Sequence, residues 1–244
     1  MYTRSVQFYD ALYHFKDYTA ASKQLHTLLQ QKHPSAKTLL DVACGTGKHL
    51  EYLRNYYQVE GIDVNPDMLK IARQRCPEVP FHPASMVDFC LESNFDVITC
   101  LFSSIAYVKT RENLEKTLYS MVHHLRPGGV VVIEPFFSPK NYWTGTITAN
   151  FVDEPDLKIA WMYISNPPQD RVAVLDIHYM VGTPESVSHF EERHEIGLFT
   201  HEEYLKAFRG AGLEVTYDSK GLFGRGMYLG KDLERKNHAI DQNT

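Results

Sequence analysis

The sequence predicts an α/β fold: a doubly wound, seven-stranded sheet with an antiparallel β insert after its fifth strand. Three observations predict it. Short apolar segments alternate with amphipathic ones from residue 38 to residue 134. The run Phe95-Asp-Val-Ile-Thr-Cys-Leu is nearly continuous in apolar residues, as in a parallel strand buried on both faces. From residue 158 the period changes to two, with Asn-Pro-Pro and Gly-Thr-Pro turns between the segments, which reads as antiparallel strands.

The elements follow in order. Residues 7–32 read as one helix carrying Tyr9, Tyr13 and Tyr18, ended by Pro34. Strand one spans 38–42 and a helix spans 48–56. Strand two covers 59–63. Asn65-Pro66-Asp67 then starts a helix to about residue 76: asparagine caps, proline suits the first helical position, and aspartate meets the helix dipole. Residues 80–82 form a weak strand three and 95–101 form strand four. Thr110 caps a helix through Leu125, ended by Pro127-Gly128-Gly129, and 130–134 form strand five. The insert strands are 158–165, 171–181 and 187–198. Thr200-His201-Glu202-Glu203 is a capping box for a helix ending at Gly210 or Gly212. Residues 214–219 and 226–229 complete the sheet. The expected organisation is a helical lid over 1–36, a core over 37–138 and 199–230, an insert over 139–198, and a polar tail over 231–244.

Residues 39–49 carry the chemistry. Asp41 closes strand one, Gly45 and Gly47 allow a tight bend with free space above it, and Lys48 opens a helix. Such a turn at the carboxyl edge of a parallel sheet cradles small molecules. A dinucleotide fingerprint needs a third glycine where this chain has Leu50, and a phosphate-binding loop needs serine or threonine where it has His49. An Asp-x-x-x-Gly-x-Gly turn remains. Asp63, at the tip of strand two, is placed to accept ribose hydroxyls.

Composition narrows the field. The 244 residues carry a net charge of −5 and no basic stripe, against extended nucleic-acid binding. Met1-Tyr-Thr-Arg-Ser-Val lacks the apolar core of a signal peptide, and residues 98–108 are too short to span a bilayer. The four cysteines, at 44, 76, 90 and 100, have neither metal nor disulfide spacing, and read as free thiols in a reducing cytoplasm. His178, His189 and His194 lie on insert strands without a metal-ligand spacing, so no metal is expected.

The Asp41-to-Gly47 turn resembles motif I of the class I S-adenosylmethionine (SAM) methyltransferases, whose core is Rossmann-like. Further segments resemble one branch, the N,N-dimethyltransferases of nucleotide (dTDP)-linked amino sugars of the desosamine and mycaminose type: Phe102-Ser103-Ser104 followed by Tyr107, His124 through Pro135, the insert's His189-Phe190, His194 and Leu198-Phe199, and Gly224-Arg225-Gly226. The resemblance implies SAM as cofactor, an amino-sugar acceptor, a homodimer and a cytoplasmic biosynthetic enzyme. It implies cofactor contacts from Tyr18, Asp41, Ala43, Cys44, Gly45, Gly47, Asp63, Met68, Ser85, Met86, Leu101 and Phe102. Ser85 departs from the branch, which carries an aspartate there for the adenine amino group. A serine hydroxyl accepts without charge assistance. Small-apolar packing is the competing reading for Cys44.

Methyl transfer needs no protein nucleophile. It needs an unprotonated amine held in line with the methyl and shielded from water, and a nearby base helps a second transfer. The resemblance implies His124 as that base, with capping of its own helix as the alternative, and Tyr13 as a residue facing the reacting group. Substrate contacts are expected from Tyr13, Ser104, His178 and Arg225, the last as a guanidinium fork for the diphosphate. Another small amine or hydroxyl acceptor, and a SAM-binding protein without turnover, remain open alternatives.

Overall fold

The computed structural model describes residues 2–233. The chain enters through a 3-10 turn (Val6–Phe8) and a short helix α1 (Tyr9–Leu12), then breaks before α2 (Tyr18–Lys32). The single helix expected over 7–32 is therefore two pieces. Tyr13 leaves helical geometry at φ −110°, ψ 21°. Asp17 restarts the helix by accepting the Ala20 N–H at 2.8 Å, an N-cap inside what reads as a continuous pattern.

The core then alternates: β1 (Thr38–Val42), α3 (Lys48–Leu53), β2 (Gln58–Asp63), α4 (Pro66–Arg75), β3 (Phe81–Pro83), β4 (Phe95–Cys100), α5 (Arg111–His123) and β5 (Leu125–Ile133). The expected caps are present. The Asn65 side chain accepts from Asp67 and Met68 N–H, and Thr110 accepts from Asn113 N–H. Pro127-Gly128-Gly129 lies inside β5 instead of before it. The register against β4 shifts there, between Phe95 and Val97, so these residues form an irregularity at the strand's edge. A Cβ on Gly129 would stand 2.8 Å from the Asp96 carbonyl oxygen, so only glycine fits that approach.

Four antiparallel strands follow: β6 (Ile147–Glu154), β7 (Leu157–Ile164), β8 (Val172–Gly182) and β9 (Val187–Gly197). β6 escapes sequence reading because Val152 is its one buried residue. The chain closes with α6 (His201–Gly210), β10 (Leu213–Asp218) and β11 (Met227–Asp232). Thr200 and Glu203 form both bonds of the capping box. Residues 231–232, expected in the tail, belong to β11, and 234–244 lie outside the described residues.

The seven-stranded sheet has the order β10-β11-β5-β4-β1-β2-β3. β3, β2, β1, β4 and β5 are parallel, β11 runs antiparallel to β5, and β10, antiparallel to β11, returns to the direction of the parallel set. Apolar layers cover both faces: Leu40, Val42, Ile98, Val131 and Ile133 in one, Leu39, Val97, Val130, Val132 and Leu229 in the other. A third apolar cluster ties one face of the insert, including Leu175, Ile177 and Phe190, to Leu12 and Ala106. Strand order reverses between β1 and β4, and a crevice opens at their carboxyl ends, where open α/β sheets bind ligands.

Candidate functional site

The crevice begins at Asp41, 3 % exposed, whose Oδ1 accepts the Thr99 hydroxyl at 2.7 Å. Burial pushes its carboxyl up to about 7 against that bond, and the nearby Asp63 adds to the rise. The bend after β1 uses left-handed geometry at Ala43 (φ 59°), Gly45 (φ 56°) and Gly47 (φ 75°). The two glycines differ in purpose. A Cβ on Gly45 would meet nothing within 4 Å, so the space above it is free for a ligand. A Cβ on Gly47 would press on Ala72 at 3.2 Å, so this glycine brings α3 against α4 and lines none of the three cavities around the crevice. Cys44 Sγ fills the space where a Cβ on Gly61 would be, at 2.8 Å.

Asp63 is fixed by backbone donors. Its Oδ2 accepts the Gly45 N–H at 2.9 Å and its Oδ1 the Asn65 N–H at 2.8 Å. Burial raises its pKa against these bonds. Asp63, Gly45, Met68, Ser85 and Met86 line a cavity of about 410 Å³. The Ser85 hydroxyl also accepts its own turn's Val87 N–H at 3.2 Å. A narrow pocket of about 30 Å³ runs off the bend, lined by Tyr18, Asp41, Ala43, Cys44, Leu101 and Phe102. Free space over Gly45, a backbone-held acid at the tip of β2 and a closed arm ending on a buried carboxylate fit an adenosyl group joined to an amino acid.

A larger cavity, about 830 Å³, lies between this crevice and the insert. Tyr13, Lys16, Trp161, Tyr163, His194 and Arg225 line it, and Tyr9 and Ser104 line all three spaces. Arg225 occupies a turn with Gly224 at φ 79° and Gly226 at φ 83°. Its Nη1 donates to Ser103 Oγ at 3.1 Å, and the guanidinium lies 5.1–5.9 Å from the ring centres of Phe102, Phe136 and Phe137. Lys16 sits over Phe102 and Phe223, and its Nζ has no hydrogen-bond partner. Burial and Arg225 push it down to about 7, with Glu134 opposing. Glu134 is buried and accepts the Phe102 N–H at 2.8 Å.

Besides Gly47, two expected site residues stand elsewhere. His124 is 1 % exposed and lines none of these cavities. Its carbonyl accepts the N–H of Phe95, the first residue of β4, so it lies at the amino edge of the sheet. The site is at the other edge, about 17 Å along β4. Both ring nitrogens are engaged: Nδ1 lies 2.8 Å from the Ser120 carbonyl oxygen, and Nε2 accepts the Leu91 N–H at 2.9 Å. His124 therefore stands at the α5 C-terminus, its ring held by groups of its own surroundings and away from the crevice. His178 is exposed on the outer face of β8, beside Glu191 and stacked on His189, while alternate residues Leu175 and Ile177 face the cavity. Sequence reading missed Tyr2, Lys16 and Glu134, gave Tyr9 and Tyr107 no role, and gave His194 a polar-wall or dimer-contact role. The Asp17 cap was the legible signal for the chain break that carries Lys16. Among the described residues, no group of acids, histidines and cysteines could hold a metal.

A doubly wound core with this cradle defines a class: the SAM-dependent methyltransferases. A methyltransferase-domain family model matches residues 39–129. The chain is 38 % identical over 217 residues to the dTDP-3-amino-3,6-dideoxy-alpha-D-glucopyranose N,N-dimethyltransferase of Streptomyces fradiae, covering 88 % of this chain and 85 % of that one. It is 38 % identical over 218 residues to the dTDP-3-amino-3,4,6-trideoxy-alpha-D-glucopyranose N,N-dimethyltransferase of Streptomyces venezuelae, covering 88 % and 91 %. The crystal structure of DesVI from Streptomyces venezuelae superposes with a TM-score of 0.89 at 36 % identity, over 94 % of this chain and 99 % of that one. SAM-bound CalS10, an amino pentose methyltransferase, superposes with a TM-score of 0.85 at 33 % identity, over 95 % and 98 %. The chain belongs to the family of dTDP-amino-sugar N,N-dimethyltransferases.

Proposed function

We propose that the protein methylates the amino group of a dTDP-linked amino sugar. The carrying observation is the 830 Å³ cavity, which adjoins the cofactor crevice and holds two cationic side chains, Lys16 and Arg225, among aromatic rings. A diphosphate supplies the matching charge, and the rings suit the flat base and the sugar. The relatives' substrates support the same acceptor.

The bound cofactor supplies a methyl group already activated by its sulfonium. The chain's own residues bind and align. Asp63 would receive the ribose hydroxyls, Ser85 and Met86 would hold the adenine, and Tyr18, Asp41, Ala43, Cys44, Leu101 and Phe102 would hold the amino-acid arm. Gly45 leaves the room they share. Tyr13 and Ser104 border the reacting amine, and Arg225 holds the diphosphate. Alignment of this kind supplies on the order of 7–11 kcal/mol.

The domain organisation expected above is retained as a proposal: residues 1–36 as a lid, 139–198 as a substrate wall and dimer contact. The outer face of the insert exposes Ile147, Phe151, Met162, Ile164 and Met180. These side chains come together through the pairs Ile147–Ile164 and Ala160–Met180 and the Phe151–Ala160 pairing, and such a patch fits a second copy of the chain. No described helix is long and apolar enough to cross a membrane. The assignment is a homodimeric cytoplasmic enzyme without nucleic-acid or membrane partners. The test is incubation with SAM and a panel of dTDP-amino sugars, read by mass spectrometry. Gain of one or two methyl groups is expected. SAM binding with no sugar methylated would overturn the acceptor.

A further inference from the structure

Tyr107 stands where two spaces meet. On the 3-10 turn after β4 (Ser104–Val108), it lines both the 410 Å³ cofactor cavity and the 830 Å³ acceptor cavity. Its hydroxyl lies 2.8 Å from Nδ1 of His194 on β9. His194 is 1 % exposed, and its Nε2 lies 3.9 Å from Oε2 of Glu192. Glu192 is buried too. It accepts N–H groups of Thr3, Arg4 and Ser5 at 2.8, 2.7 and 3.0 Å, as well as the hydroxyls of Thr3 and Ser5. The His194 ring close by, with hydrogen bonds from Ser5 and Thr3, outweighs its burial and holds its carboxyl well below the usual range.

We propose that Tyr107 relays the proton of the acceptor's ammonium to His194, whose imidazolium Glu192 stabilises. The proposal rests on the amino-acceptor reading above. An amine must lose a proton before each methyl transfer, because only its lone pair can form the new N–C bond. The ammonium N–H bond breaks and its proton passes to the Tyr107 oxygen. In the same motion the Tyr107 O–H proton passes to His194 Nδ1. The phenol stays neutral and the ring becomes a cation facing a carboxylate. The freed lone pair forms the N–C bond while the C–S electron pair returns to sulfur. The imidazolium resets by releasing its proton to solvent when the cavity opens.

The surroundings favour this route over its competitors. Burial, with Tyr13, Tyr179 and Glu192, drives the Tyr107 phenol far above its ordinary range. A standing phenolate is thereby excluded, so the hydroxyl can accept a proton only while giving one up. Tyr13 has the Tyr2 hydroxyl at 3.1 Å, not a base. Tyr2 also meets the His194 ring, edge-on at 4.6 Å. The charged neighbours on β9 are paired away from the ring: Arg193 with Asp176, Glu195 with Lys109.

The test uses Tyr107→Phe and His194→Asn with a dTDP-amino sugar and its N-monomethyl derivative. Each variant is expected to lose on the order of 10²-fold in kcat at neutral pH, with SAM affinity by calorimetry unchanged, and to recover toward wild type near pH ~9, where solvent deprotonates the amine. A loss independent of pH, or an undiminished kcat in Tyr107→Phe, overturns the relay. Tyr107→Phe removes one oxygen and carries the test if His194→Asn does not fold. Imidazole ¹⁵N spectra of the protein without acceptor give a second readout. His194 is expected with its proton on Nε2, and a proton on Nδ1 overturns the relay whatever the acceptor. Absence of wild-type turnover with the Nε2 tautomer in place would instead overturn the amino-sugar reading.

Discussion

Asp63 is held in place before any ligand arrives, since Gly45 and Asn65 fix one oxygen each. A carboxylate still has lone pairs for two ribose hydroxyls. Asp63→Ala removes them and leaves two partly buried N–H groups unpaired, so SAM affinity by calorimetry should fall about 100-fold or more. An unchanged affinity would remove Asp63 from the cofactor site. Asp41 gives a pH signature. Its folded pKa of about 7 lies above its ordinary 3.8, so the folded state holds a proton that the unfolded state has released. Stability should therefore fall as pH rises from about 4 to about 7, by on the order of 4 kcal/mol in total, and remain lowered above that window. Asp41→Asn should flatten this decline and raise Tm at pH ~8, measured by thermal melts across pH. Lys16 gives the opposite kind of evidence. It is charged below about 7 and loses its charge above. Binding of dTDP alone, which carries no amine, should weaken through pH ~7, and Lys16→Met should remove that dependence while weakening binding at pH ~6.

At the scale of elements, two local rules place the acceptor cavity's cations. Asp17 caps α2 and thereby lets the chain break over the crevice, carrying Lys16 with it. Asp17→Ala should cost about 1 kcal/mol in denaturant unfolding. Gly226 anchors the other cation. At φ 83°, its Cβ would stand 2.1 Å from the Tyr217 hydroxyl. Gly226→Ala should cost about 1–3 kcal/mol and raise the KM for the nucleotide sugar, because the turn that aims Arg225 must shift. The elements of the parallel core were legible because each carries its own signal: β4 its apolar run, α4, α5 and α6 their caps. β6 was not, since Val152 is the one buried residue on its inner face and its other face is solvent-exposed. The break between α1 and α2 was hidden by the aromatic run on either side of it.

At the scale of the whole molecule, the insert faces two ways. Its inner face walls the acceptor cavity, and its outer face is the apolar patch assigned to a second copy. Phe151→Asp with Met180→Asp should convert a dimer to a monomer in sedimentation, and an unchanged sedimentation coefficient would move the interface elsewhere. The sequence alone determined the bend that frames the crevice. Asp41, Gly45 and Asp63 lie within a single βαβ unit, where chain geometry over two dozen residues dictates which groups share a crevice. Tertiary structure decided what else the acceptor half contains. Beside Tyr13, Ser104 and Arg225, which the family resemblance already named, Tyr107, His194, Glu192 and Lys16 come from a loop, an inserted sheet and an N-terminal break far apart in the chain, and residue spacing carries no information across such distances. The same limit misplaced His124: sequence shows that it ends a helix, and only the direction of the strand beside it shows at which edge of the sheet that helix ends.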